Sequence, residues 1–247
     1  MPPNFFSAKI YLVLLTEKEF LVPLSQNSIF LNVSLYVESI LGGISCFIKA
    51  ETFAELQAAE QTIRFFWGSY EFFSDIGSLP HALQDLMLKK ELTLCLAESC
   101  TGGYLSHLIT KVSGSSEYFL GSFVTYSNFL KTKLLQVPEV LLNTFGAVSE
   151  PVVISMLEGA LAFSLADIGI AVSGLAGPLG GSLEKPIGTV FAALGSKNSY
   201  VFGFFEIQGS REDVIVLASY KLLAMLYRKV AYGAISPGFT HALIPSQ

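Results

Sequence analysis

Residues 93–109, TLCLAESCTGGYLSHLI, read as a buried strand that runs through a paired-glycine turn into a helix, and this junction constrains the fold more than any other segment. The run 93–97 is apolar after its first residue, as strands covered on both faces are. Leu105, Leu108 and Ile109 then return at helical spacing beyond Gly102 and Gly103. Such junctions are where α/β proteins gather nucleophiles and anion sites, because a helix N-terminus carries unsatisfied backbone N–H groups and the positive end of the macrodipole. Glu98, Ser99, Cys100 and Thr101 occupy the junction. Two readings stand here: Ser99 or Thr101 caps the helix while the glycines turn the chain, or a hydroxyl beside those donors is a reacting group.

The remaining chain fits around that unit. From residue 79 the pattern alternates, with helices over 79–90, 100–112, 127–136, 138–144, 150–165 and 210–229, and strands over 92–97, 118–126, 168–173, 187–195 and 199–207. This predicts an α/β layered domain over 76–232, with a mixed, mostly parallel sheet flanked by helices. The turn at Lys197-Asn198-Ser199 joins two strands as a hairpin, which is why the sheet is expected to be mixed. Residues 1–75 have another texture, with strands over 9–15, 30–37 and 44–49 and an amphipathic helix over 52–67 whose Thr52 and Glu55 stand at capping-box spacing. They predict a small α+β module, with a Gly- and Ser-marked linker over 68–78 and a tail over 233–247.

Only 14% of the residues are charged and the mean hydropathy is +0.54, so a membrane reading has to be tested. The longest uncharged stretch, 20–37, contains Pro23, Gln26, Asn27 and Asn32, which are costly in hydrocarbon, and the apolar run 10–15 is too short for an anchor. No membrane association and a cytoplasmic location are expected. The net charge of −5 offers no basic footprint, so no direct nucleic-acid partner is expected. Cys46, Cys95 and Cys100 lack metal-ligand spacing and suit a reducing compartment, with no metal. The low charge content implies apolar surface and makes a homo-oligomer the expectation.

A serine at the junction needs a base to become a nucleophile. His107 lies eight residues past Ser99 on the same predicted helix, about 12 Å away, and His81 and His241 fall outside the motif, so a Ser-His-Asp triad is not expected. The segment YSNFLKTKLLQV places Tyr126 at a strand end and Lys131 one helical turn on, so both can reach the same sheet edge. A desolvated lysine can act as a base, although most lysines on such helices are simply solvated. Residues 171–188, AVSGLAGPLGGSLEKPIG, form a glycine-rich loop after a strand but lack both the P-loop ending and the G-x-G-x-x-G spacing.

Taken together, AESCTGG at 97–103, YSNFLK at 126–131, GAVSE at 146–150 and SGLAGPLGG followed by EKPIGTV at 173–190 resemble the C-terminal domain of the CinA family, whose active members are nicotinamide mononucleotide deamidases. The resemblance covers about residues 79–230. It implies amide hydrolysis to nicotinate mononucleotide and ammonia without a cofactor, in the recycling of pyridine nucleotides, on a small-molecule pyridine nucleotide substrate. By the same resemblance Ser99 is the nucleophile, Lys131 the general base and Tyr126 an assisting hydroxyl. Glu98, Cys100, Thr101, Gly102, Gly103, Ser173, Gly174 and Arg211 are then expected around the substrate, with the N–H groups near 100–103 receiving the oxyanion. Cys100 is the rival nucleophile. Ser173 stands where many members have threonine, and Phe129, Leu130 and Gln136 depart from the family's small, polar and glycine residues. Long members begin with a molybdopterin-binding-like domain that this chain is expected to lack, and with it ADP-ribose pyrophosphate hydrolysis; residues 1–75 loosely resemble their middle module. The alternative implied by the same family is a non-catalytic adaptor in competence or DNA-damage responses.

Overall fold

The computed structural model describes residues 5–25, 27–72, 74, 77–234 and 239–243, and the chain divides into two units, Met1–Ala82 and Leu83–Gln247. In the first unit, strand β1 (Phe6–Val13) leads to helix α1 (Glu17–Leu24), the hairpin of β2 (Val33–Ile40) and β3 (Gly43–Ala50), helix α2 (Phe53–Trp67) and the short strand β4 (Glu71–Phe72). The sheet order is β2-β3-β1-β4, antiparallel throughout. Its core follows the period-2 rule: Ile10 and Leu12 of β1 and Ile44, Cys46 and Ile48 of β3 face Phe20, Leu56, Ala59, Ile63 and Trp67 on the helices.

Two expectations are corrected in this region and at the C-terminus, and one helix is added to those expected. Helix α1 is opened by a full capping box of Thr16 and Glu19 and holds Pro23 in its last turn. The expected linker 68–78 contains β4, whose Phe72 is buried and stacks on Tyr11 at 5.3 Å between ring centroids. The expected tail 233–247 contributes β10 (Phe239–Leu243), which pairs with the preceding strand.

The second unit is built on a six-stranded sheet. Helix α3 (Leu79–Lys89) precedes β5 (Leu94–Glu98), followed by α4 (Tyr104–Thr110), β6 (Phe119–Val124), α5 (Asn128–Leu135), α6 (Glu139–Phe145), α7 (Glu150–Ser164), β7 (Ile168–Gly174), the hairpin β8 (Thr189–Ser196) and β9 (Ser199–Glu206), and α8 (Arg211–Tyr232). The order is β10-β9-β8-β7-β5-β6. The sheet is mixed: β5 pairs parallel with β6 and β7, whereas β7–β8, β8–β9 and β9–β10 are antiparallel, so the parallel part is smaller than expected. The hairpin and the added edge strand make the difference.

Alternation along β5 decides what each of its residues meets. Cys95 and Ala97 pack with Ala171, Ala193 and the apolar face of α7, from Val152 through Leu161. The residues that alternate with them, Leu94, Leu96 and Glu98, point the other way. Helix α4 packs with α8 and against β6, and α7 packs with α5, α6 and β5, β7 and β8. The helical period of 150–165 was legible because Ser149, Glu150 and Pro151 open it and its apolar face is continuous.

Candidate active site

The strand ends at Glu98, and the chain then turns through Ser99–Gly103 before α4 begins at Tyr104, four residues later than expected. Gly103 takes φ +98°, a backbone conformation that disfavours any side chain, and this tight turn delays the helix. Ser99 continues the parity of Cys95 and Ala97 and lies on the α5–α7 side. Its hydroxyl is 2.9 Å from Nζ of Lys131, which also donates to the Thr125 carbonyl at 2.7 Å. Lys131 sits on α5, capped at its start by Ser127, and is buried to 1% exposure. Burial disfavours its ammonium and pulls the pKa from 10.5 down to about 8.

These groups line a cleft of about 210 Å³ together with Cys100, Tyr126, Ala147, Val148, Ser173, Gly174, Ala176 and Arg211. That is smaller than pockets that enclose a whole drug-sized ligand, roughly 300–1,000 Å³, so it suits the reacting end of a substrate whose remainder lies outside. The walls come from the chain at the ends of β5, β6 and β7, the α6–α7 connection, and helices α5 and α8. The close approach of Gly174 is required: a Cβ there would stand 2.9 Å from the Thr189 carbonyl and 3.1 Å from Sγ of Cys100.

The Cys100 thiol is pushed up to about 12, chiefly by burial, which keeps it protonated and a poor nucleophile at neutral pH. Arg211, at the first position of α8 after a Ser210–Asp213 capping box, donates to the Gly177 carbonyl and to the Tyr126 hydroxyl, each at 2.8 Å. The arginine therefore ties the glycine-rich loop to the β6–α5 connection at the mouth of the cleft. Tyr126 accepts this bond from Arg211 and lines the cleft together with the Ser99–Lys131 pair. The Ser173 hydroxyl, expected on the substrate, donates instead to the Ala147 carbonyl at 2.7 Å and fixes the α6–α7 connection as one wall.

Of the residues expected around a substrate, Cys100, Ser173, Gly174 and Arg211 line the cleft, while Glu98, Thr101, Gly102 and Gly103 do not. Glu98 is fully buried with its carboxylate turned toward α4. The N–H of Gly102 is bonded to the Ser99 carbonyl and that of Gly103 to Glu98, and of the turn residues 100–103 Cys100 lines the cleft, so its N–H is the turn's candidate oxyanion donor. Ala147, Val148, Ala176 and the Thr125 carbonyl were not foreseen as site groups. Apolar and backbone groups carry no chemical signature, though the segments GAVSE and SGLAG that hold three of them had stood out. His81 bonds Ser78 and His107 lies beside the Tyr104 ring; neither lines the cleft, and the His241 side chain lies outside the described residues. Among the described residues no cluster of His, Cys, Asp or Glu could hold a metal, and no helix is long and apolar enough to cross a membrane.

Comparison with known proteins places relatives beside this geometry. Residues 77–230 match the family model described as the CinA C-terminal domain. A CinA-like protein of Geobacter sp. strain M21 is 42% identical over 183 residues, covering 74% of this chain and 44% of the relative, and one from Geotalea daltonii is 45% identical over 163 residues, covering 66% and 40%. The chain thus spans less than half the length of these curated relatives. Among solved structures, the competence damage-inducible protein A of Klebsiella pneumoniae is 35% identical with a TM-score of 0.61, covering 63% of this chain and 97% of that one. The competence/damage inducible protein from Agrobacterium tumefaciens is 37% identical with a TM-score of 0.57, covering 63% and 95%.

Proposed function

The chain belongs to the CinA family, and from that membership together with the Ser99–Lys131 pair we propose that it is a serine amidohydrolase that converts nicotinamide mononucleotide to nicotinate mononucleotide and ammonia. The observation that carries this reading is a buried lysine, brought to about 8, within hydrogen-bond distance of a serine hydroxyl at the wall of a cleft. A neutral Lys131 accepts the Ser99 proton as Oγ attacks the carboxamide carbon. The oxyanion is received by the Cys100 N–H at the cleft wall, such a donor being worth about 3 kcal/mol. Lys131 returns its proton to the departing nitrogen, ammonia leaves, and an ester to Ser99 remains. Water, deprotonated by the same lysine, then attacks the ester; the C–Oγ bond breaks, the lysine returns the proton to Ser99 Oγ, and the acid leaves as the carboxylate with its proton going to solvent.

Arg211 at the mouth suits the phosphate that the nucleotide leaves outside the cleft, since a guanidinium pairs well with phosphate oxygens. The high pKa of Cys100 supports the serine over its neighbour. Incubating the purified protein with nicotinamide mononucleotide should release ammonia, and Ser99→Ala should abolish that release while the far-UV spectrum is unchanged. Full activity in Ser99→Ala would sink the serine mechanism. No ammonia from a folded wild-type protein would favour the non-catalytic adaptor.

A further inference from the structure

Glu98 stands next to the nucleophile, is fully buried, and faces away from the cleft. Its carboxylate gathers donors from three elements. Oε2 accepts from the Thr101 hydroxyl at 2.8 Å and from the N–H groups of Gly103 and Leu105 at 3.0 and 3.2 Å. Oε1 accepts from the N–H of Ser106 at 3.0 Å, the hydroxyl of Ser106, and the hydroxyl of Ser122 on β6 at 3.2 Å. The residue that should cap α4, Gly103, has no side chain to do so, and Glu98 supplies the missing acceptors.

The same residue acts through its main chain. The Glu98 carbonyl accepts from the N–H of Thr125 at 2.8 Å, and the Thr125 carbonyl is the second acceptor of Lys131 Nζ. One residue therefore holds the turn carrying Ser99, Cys100 and Thr101 with its carboxylate and the anchor of the lysine with its backbone.

We infer that Glu98 is a positioning residue for the proposed reaction: its carboxylate fixes the 99–103 turn so that Ser99 faces Lys131 and the Cys100 N–H faces the oxyanion. The inference rests on Ser99 being the nucleophile. All of the carboxylate's bonds are internal, so it makes no contact with the substrate.

The test is Glu98→Gln. The amide is isosteric, and its NH₂ can be accommodated beside Ser106 and Ser122, whose hydroxyls can reverse to accept, leaving one N–H of the helix start without a partner. Labelling with a serine-directed fluorophosphonate reads two quantities: the amplitude, which counts folded reactive molecules, and the rate, which reports how well Ser99 is placed. Glu98→Gln is expected to keep the amplitude and to slow both labelling and ammonia release about tenfold to a hundredfold with KM little changed, as a misplaced nucleophile does. A lower amplitude with an unchanged rate would make Glu98 merely structural and overturn the inference, as would an unchanged rate at full amplitude. If Glu98→Gln fails to fold, Ser106→Ala, which removes one hydroxyl donor, is expected to slow labelling less but in the same direction, and a wild-type rate there overturns the inference. Absence of labelling at Ser99 in the wild type sinks the nucleophile assignment, and the inference with it.

Discussion

Two cations in this chain, the exposed Arg64 on a buried carboxylate and the buried Lys131, are held in opposite ways. In the first unit, Arg64 of α2 makes a forked contact with Glu71, with Nε at 3.0 and 3.3 Å and Nη2 at 3.1 Å, and Glu71 is only 5% exposed. The hydrogen-bonded carboxylate raises the arginine pKa further, so the guanidinium stays charged. In the second unit, the ammonium of Lys131 has a serine hydroxyl and a carbonyl as its hydrogen-bond partners, and burial drives its pKa down instead. A compensated charge serves the fold. An uncompensated one near neutrality costs stability and becomes available for proton transfer.

Removing the two members of the reacting pair should give the largest effects. Ser99→Ala and Lys131→Met are each expected to lower kcat for ammonia release by a factor of about 10² to 10⁴, measured by a coupled ammonia assay. A lysine variant with wild-type rate would show that Lys131 is buried for packing only. Breaking the other pair should act on stability alone. Arg64→Leu leaves Glu71 buried without its guanidinium and is expected to cost about 2 kcal/mol in urea unfolding, the arginine's partial exposure trimming the loss, with kcat unchanged.

The pH dependence sharpens the contrast. Because the neutral lysine is the active form, kcat/KM should rise about tenfold per pH unit below 8 and level off above about 8. Stability should follow its own window. Below pH 8 both folded and unfolded chains hold the lysine proton, and the fold bears the full cost of the buried charge. Between about 8 and 10.5 only the unfolded chain holds it, so stability rises with pH, by up to about 3 kcal/mol, and above 10.5 the term is gone. Lys131→Met should lack that rise in urea titrations at stepped pH. The smallest effect is expected from Cys100→Ala, a change of less than about threefold in kcat, since a thiol near 12 takes little part. Loss of activity there, with Ser99→Ala active, would exchange the roles of the two neighbours.

Much of the architecture was legible because it rests on local periodicity. The α7 apolar face, the β8–β9 hairpin and the helix after Ser210 all announce themselves by spacing and caps. What escaped, namely α1 with its internal proline, β4 inside an apparent linker and β10 inside an apparent tail, depends on partners distant in sequence: a strand as short as β4 exists only because β1 offers it a ladder. The site shows the same division. AESCTGG marked a turn with hydroxyls, and YSNFLK marked a lysine one turn into a helix, but neither segment says what the other faces.

The sequence by itself determined the strand–turn–helix junction, its helical and strand periods and, through its motifs, the family. Tertiary structure alone decided the use of each residue there. Because side chains alternate along a strand, Ser99 falls toward α5 and Glu98 toward α4; a shift of one residue would exchange them. Only the packed sheet brings Lys131, 32 positions away, to 2.9 Å from the serine and strips it of water, and that desolvation is what lowers its pKa to about 8.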